Sequence, residues 1–211
     1  MSTARHFLLD IPDLWDQADL SGEELARIRA RALAATDDPR EQARINDMFR
    51  QGRDVTRAAR RHGALLAAGT ATLYADGLFM AYGMVFAVTT PEGQELTLPV
   101  LSAQLGVSTA TGVAPKDRVI TSVDLPHAGK AARVTGTETT RLTGDIDVRL
   151  LTMHTMVPVP GTADDFLVVT LASPNLPLKE EVYDLFDAIT STFRFVAADG
   201  RQAVAAGPAA G

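Results

Sequence analysis

The sequence predicts an α+β fold: an antiparallel sheet of about six strands, packed by a C-terminal amphipathic helix and an N-terminal helical insert. Three observations carry this expectation. Helical periodicity and helix-start signals fill residues 21–62 and return at 178–191; from Leu65 the apolar pattern becomes alternating or continuous; and glycine-containing turns at Ala75-Asp76-Gly77, Pro91-Glu92-Gly93, His127-Ala128-Gly129 and Pro160-Gly161 divide the apolar runs. Turns this short join hairpins, so the strands they connect run antiparallel.

The first segment, Phe7 to Leu14, mixes apolar and acidic residues around Pro12 and is expected to be a short extended strand leading to Trp15. Ser21 then stands as an N-cap with Glu24 three residues on, and Leu20 and Leu25 are spaced as a hydrophobic staple. A second helix start follows at Asp38-Pro39-Arg40-Glu41: Asp38 caps, Pro39 takes the first helical position, and Glu41 completes a capping box. Ile45, Met48, Phe49, Gly52, Val55, Ala59 and His62 recur at helical spacing behind it, while Arg44, Arg50, Arg53, Arg57, Arg60 and Arg61 share the other faces with Asp47 and Asp54. Such mixed charge is ordinary for a solvated face, and Arg53 and Arg57 are the residues of this arm assigned as candidate protein contacts.

Strands are expected near 66–75, 78–89, 94–98, 118–126, 131–140, 146–157 and 166–172, with a short helix at 98–105 and a small-residue loop from Gly106. In the strand at 78–88, Leu78, Met80, Tyr82, Met84, Phe86 and Val88 point one way; Phe79, Ala81, Gly83, Val85 and Ala87 point the other. Both faces are apolar, which predicts a strand covered on both sides, with the small face set against a helix. In the last helix, Leu178, Val182, Leu185, Phe186, Ile189 and Phe193 fall on one side and Lys179, Glu180, Glu181, Asp184 and Asp187 on the other, so it packs on the sheet. Phe193 to Val196 adds a final short strand. Residues 1–196 are expected to form one domain with its helical insert at about 21–62, followed by a disordered tail at 197–211 rich in Ala and Gly.

Composition narrows the function classes. The chain has 211 residues, no cysteine and a net charge of −6. Lacking thiols, it has no disulfide, cysteine nucleophile or thiolate metal site. Residues 1–62 balance eleven basic against eleven acidic side chains and the remainder carries nine against fifteen, so the later part repels polyanions. Nucleic acid is not an expected partner. Asp10 and Asp13 interrupt what a secretory signal would need, and the run Leu78 to Val88 is too short to span a membrane, so the expected address is cytoplasmic, without membrane insertion. Arg-rich, Ala-rich usage fits a GC-rich bacterial genome.

No motif supplies catalysis, a metal or a cofactor. His6, His62, His127 and His154 are spaced so that no two share a helical face as a metal pair. The loop Gly106–Lys116 lacks the Gly-Lys-Ser/Thr ending of a phosphate loop, and Asp145 with Asp147, or Asp164 with Asp165, are ordinary turn acids. An enzyme, as an alternative, rests on His127 or His154 meeting an acid and a hydroxyl in a cleft. The more direct reading is a protein-binding surface built on Phe79, Met80, Tyr82, Met84, Met153 and Met156, because methionine and aromatic side chains adapt to varied partners. A second alternative is a carrier that holds a small apolar ligand between sheet and helices.

The order of features in the C-terminal half carries a resemblance: a strand ending Met156-Val-Pro-Val-Pro-Gly161, a hairpin into Phe166-Leu-Val-Val-Thr-Leu171, the linker Ser173-Pro-Asn175, and the helix Leu178 to Ser191 closing on Thr192-Phe-Arg-Phe195. With Phe7 to Trp15 as an opening strand, it resembles the PsbP-like fold of photosystem extrinsic proteins, LpqN-type lipoproteins and Eag-type secretion chaperones. The helical insert departs from that pattern, and no lipobox cysteine is present. The resemblance implies a non-catalytic adaptor or chaperone serving a bacterial secretion or assembly system, with a protein partner and no cofactor.

Overall fold

The computed structural model describes residues 6–75, 77–89, 117–141, 147–162 and 164–196, with the backbone alone at 24–25, 47–48, 51–56, 58 and 140–141. The expected strand at 94–98, helix at 98–105, loop Gly106–Lys116, Asp145 and tail 197–211 lie outside the described residues.

The elements are β1 (His6–Leu8), β2 (Asp16–Gln17), α1 (Glu23–Ala34), α2 (Pro39–Arg61), β3 (Ala64–Tyr74), β4 (Gly77–Thr89), β5 (Val119–Leu125), β6 (Gly129–Arg141), β7 (Asp147–Pro158) and β8 (Asp165–Ser173). A 3-10 turn (Leu176–Leu178), α3 (Lys179–Ser191) and β9 (Arg194–Val196) complete the order. Seven strands form one antiparallel sheet in the order β2-β3-β4-β8-β7-β6-β5, and β1 pairs with β9 in a separate ribbon. The α+β architecture is as the periodicity predicts. The main sheet gains its seventh strand because Asp16 and Gln17 pair with Gly69 and Ala68 at its edge.

The two helix starts use different donors from those the capping boxes suggest. Gly22, at φ 82°, precedes α1 without a side-chain cap; Ser21 Oγ accepts the Glu23 N–H (3.2 Å). At α2, Asp38 Oδ1 does accept the Arg40 N–H (2.9 Å), but Glu41 returns to the Thr36 hydroxyl. The Arg29 guanidinium holds Asn46 Oδ1 between α1 and α2, Phe49 is buried, and α2 meets the sheet at β3.

On one face of the sheet α3 lays Val182, Phe186 and Ile189 over Leu151, Met153, Val157, Leu167, Val169 and Leu171. Gly83 makes a notch on that face: a Cβ there would stand 2.5 Å from Leu171 Cδ2 and 3.5 Å from the Trp15 ring. Those two side chains fill the space. Arg133, buried on the same face of β6, donates to Thr155 (3.4 Å), Thr190 (2.9 Å) and Asp187, fastening the end of α3 to the sheet. The far face has its own cluster of Ala132, Val134, Met156, Phe166 and Val168. Phe7, Phe193 and Phe195 stack and cross where the β1–β9 ribbon closes the core.

A candidate binding surface at the β3–β4 hairpin

The expectation that β4 is covered on both faces holds only for part of its length. From Tyr82 to Phe86 the strand is flanked by β3 and β8, but its pairing with β8 stops at Tyr82 opposite Ala172, so residues 77–81 project beyond it beside β3 alone. There the side chains emerge: Leu73 is 79% exposed, Leu78 51%, Tyr74 48%, Met80 41% and Tyr82 37%. Leu73 stands opposite Leu78, and Ala71 and Gly69 stand opposite Met80 and Tyr82, so the strip has a low floor beside its two large side chains.

On the other side of the hairpin, a groove of about 570 Å³ runs between Tyr74, Leu78 and Phe79 and the start of α3 at Leu178, Val182 and Leu185, with Glu181 on its wall. Leu178, expected within the buried stripe, ends the 3-10 turn and is 42% exposed. Asn175 sets this geometry. Its Oδ1 accepts the Met80 N–H (2.9 Å), its Nδ2 donates to the Leu78 carbonyl (2.8 Å), and the neighbouring Ser173 Oγ donates to the Met80 carbonyl (2.6 Å). A side-chain amide thus continues the ladder where β8 has stopped, satisfying a strand edge that would otherwise be bare.

The structure separates the candidate residues. Met80 and Tyr82 are exposed, Met84 is half-buried on the same face, and Phe79 lines the groove. Met153 and Met156, at 3% and 0% exposure, are core residues, because β7 lies between β6 and β8 and both its faces are covered. Arg57 is exposed on α2; the Arg53 side chain lies outside what is described. Sequence reasoning missed Leu73, Tyr74 and Asn175. The signal for Asn175 was its position after Ser173-Pro174, where a polar side chain closes a turn.

A polar row crosses the far face. His154 on β7 shares hydrogen bonds with Thr170 Oγ1 on β8 through Nδ1 (3.0 Å) and with Glu138 Oε1 on β6 through Nε2 (3.0 Å). Burial pushes the Glu138 carboxyl upward, but the His154 hydrogen bond and charge, a hydrogen bond from Thr152 and the Arg118 charge together hold it below its ordinary value. An ionised Glu138 can only accept, so Nε2 carries the hydrogen. This carboxylate–imidazole–hydroxyl order is one that can activate a hydroxyl. Here, however, Thr170 sits within a strand paired on both sides, with its amides committed to the sheet and none turned toward an oxyanion. His127, exposed in the β5–β6 turn, is remote: position 134 pairs with His154, and Gly129 is five residues away along β6, about 17 Å at strand rise. The two histidines do not converge.

Among the described residues no three His, Asp or Glu side chains gather as a metal site, and no helix is long and apolar enough to cross a membrane. No family model matches the chain and no curated protein matches it in sequence. Among solved structures it is loosely similar to LpqN, a protein involved in cell envelope biogenesis of Mycobacterium tuberculosis, at 9% identity over 92% of this chain and 86% of that one, with a TM-score of 0.43.

Proposed function

We propose that this chain is a non-catalytic binding protein that holds an apolar segment of a protein partner at the projecting end of the β3–β4 hairpin. The carrying observation is the exposure of Leu73, Tyr74, Leu78, Met80 and Leu178 at one end of a sheet whose middle is closely packed. The C-terminal sequence features that resemble PsbP-like proteins support the narrower reading, an adaptor or chaperone of a bacterial secretion or assembly system working in the cytoplasm. A photo-cross-linking residue at Leu78 or Met80 should capture a protein partner, the same residue at His127 should not, and Leu78→Asp should abolish capture while leaving the fold intact. Equal capture from all three positions, or none, would remove the assignment.

The groove volume favours a second reading. About 570 Å³ falls within the range of small-molecule sites, so an apolar ligand between Phe79 and Leu185 is the competing occupant. Native mass spectrometry separates the two: a small molecule that leaves with the Leu178→Asp substitution supports carriage, and a bare chain with a captured protein supports the first reading.

A further inference from the structure

The two edges of the main sheet are treated differently. At one end β2 is two residues long and leads into α1; at the other, β5 runs seven residues in unbroken register with β6, from Val119 opposite Thr135 to Leu125 opposite Gly129. Among the described residues no strand pairs with the outer side of β5. Proteins that keep such an edge unpaired blunt it with lysine, proline, a bulge or brevity. Val119-Ile-Thr-Ser-Val-Asp-Leu125 has no lysine, proline or bulge and a single charge, Asp124, and Val119 and Ile120 are 53% and 52% exposed.

The residues along this edge are self-complementary in one register. Val119, Thr121 and Val123 face the α3 side, while Ile120, Ser122 and Asp124 face the far side. Arg118 continues the far-side line, for its Cα lies 3.4 Å from where a Gly136 Cβ would stand; its Nε is buried without a hydrogen-bond partner, and its charge also acts on Glu138 of β6. A two-fold axis through Thr121 pairs Val119 with Val123, Ile120 with Ser122, Thr121 with itself, and Arg118 with Asp124, each twice except the residue on the axis. An axis through Ser122 would instead set Asp124 against Ile120. We infer that β5 is an interface for a second copy of this chain, joining two sheets edge to edge in the Thr121-centred antiparallel register. A contact confined to two strands is small, so the dimer dissociates on dilution.

The test uses the full chain, which has no cysteine of its own. Opposed Cα atoms in an antiparallel pair stand about 4.5–5.5 Å apart, within disulfide reach. Thr121→Cys should therefore oxidise to a covalent dimer, whereas Ile120→Cys and Ser122→Cys, each opposite the other position, should form one only when the two variants are mixed. Thr121→Arg places like charges on the axis and should raise the dissociation constant measured by sedimentation about tenfold or more. Asp124→Arg should weaken the dimer and Arg118→Asp in the same chain should restore it, with circular dichroism confirming that each variant folds. A wild-type chain that stays monomeric at high concentration, cross-linking without register preference, or a dimer indifferent to Thr121→Arg would overturn the inference.

Discussion

Arg133, on β6, reaches Thr155 on β7 and joins the sheet to the last turns of α3 through Thr190 and Asp187. Removing the guanidinium takes a donor from the buried Thr155 and Thr190 hydroxyls, although Thr190 Oγ1 still donates to the Phe186 carbonyl (2.9 Å), while Asp187, with its side chain 56% exposed, can turn to water. Arg133→Ala is accordingly expected to cost about 2–3 kcal/mol in urea denaturation, and Arg133→Met less, since it refills the volume. The same reasoning with a proton applies to Glu138. Its folded value lies below the ordinary 4.5, so its contribution is fully present above that pH and is lost as pH falls through the folded value. Glu138→Gln should lower stability near neutrality, where the carboxylate's contribution is fully present, and flatten the fall below about pH 4.5 so that the two proteins converge in acid; identical stability-pH profiles for the two proteins would remove this role for the carboxylate.

At the scale of elements, the amide of Asn175 decides how β4 ends. Asn175→Ala strips both backbone partners from Leu78 and Met80, and is expected to cost about 1–3 kcal/mol, with faster hydrogen exchange at the Met80 amide than at Val85. Most element positions were legible because they rest on local chemistry: Gly77 and Gly129, with φ of 143° and 78°, mark turns that any reading of the sequence finds, and the alternation between them sets the strands. What β4 packs against was not legible. Its two faces are equally apolar in sequence, and only the early end of β8, a long-range pairing, determines that Leu78 and Met80 emerge while Val85 is buried.

Across the whole molecule, the candidate site was half readable for the same reason. Met80, Tyr82 and Phe79 sit at it, but Met153 and Met156 carry the same composition into a central strand, and side-chain type alone does not distinguish an end of a sheet from its middle. The helical insert poses the complementary question of what the sheet needs in order to fold. α1 and α2 pack on one another and reach the sheet at β3, while the strands on either side of them already meet: Gln17 pairs with Ala68, and Ala18 N donates to the Ala67 carbonyl (2.8 Å). Continuing that register places Asp19 beside Leu66, so deleting residues 20–62 leaves Gly63, Ala64 and Leu65 as a three-residue hairpin loop containing glycine, a common connection. Forming that loop releases Gly63, whose carbonyl accepts the Ala87 N–H (3.1 Å), and Ala64, which pairs with Phe86, a loss confined to the end of β3. The shortened chain should therefore keep the sheet's circular dichroism and unfold cooperatively, at a lower temperature because the contacts between α2 and β3 and the end pairs of β3 with β4 are lost. Loss of cooperative unfolding would mean that the helical pair is part of the core, and the surface at the β3–β4 hairpin would then have to be studied with the insert in place.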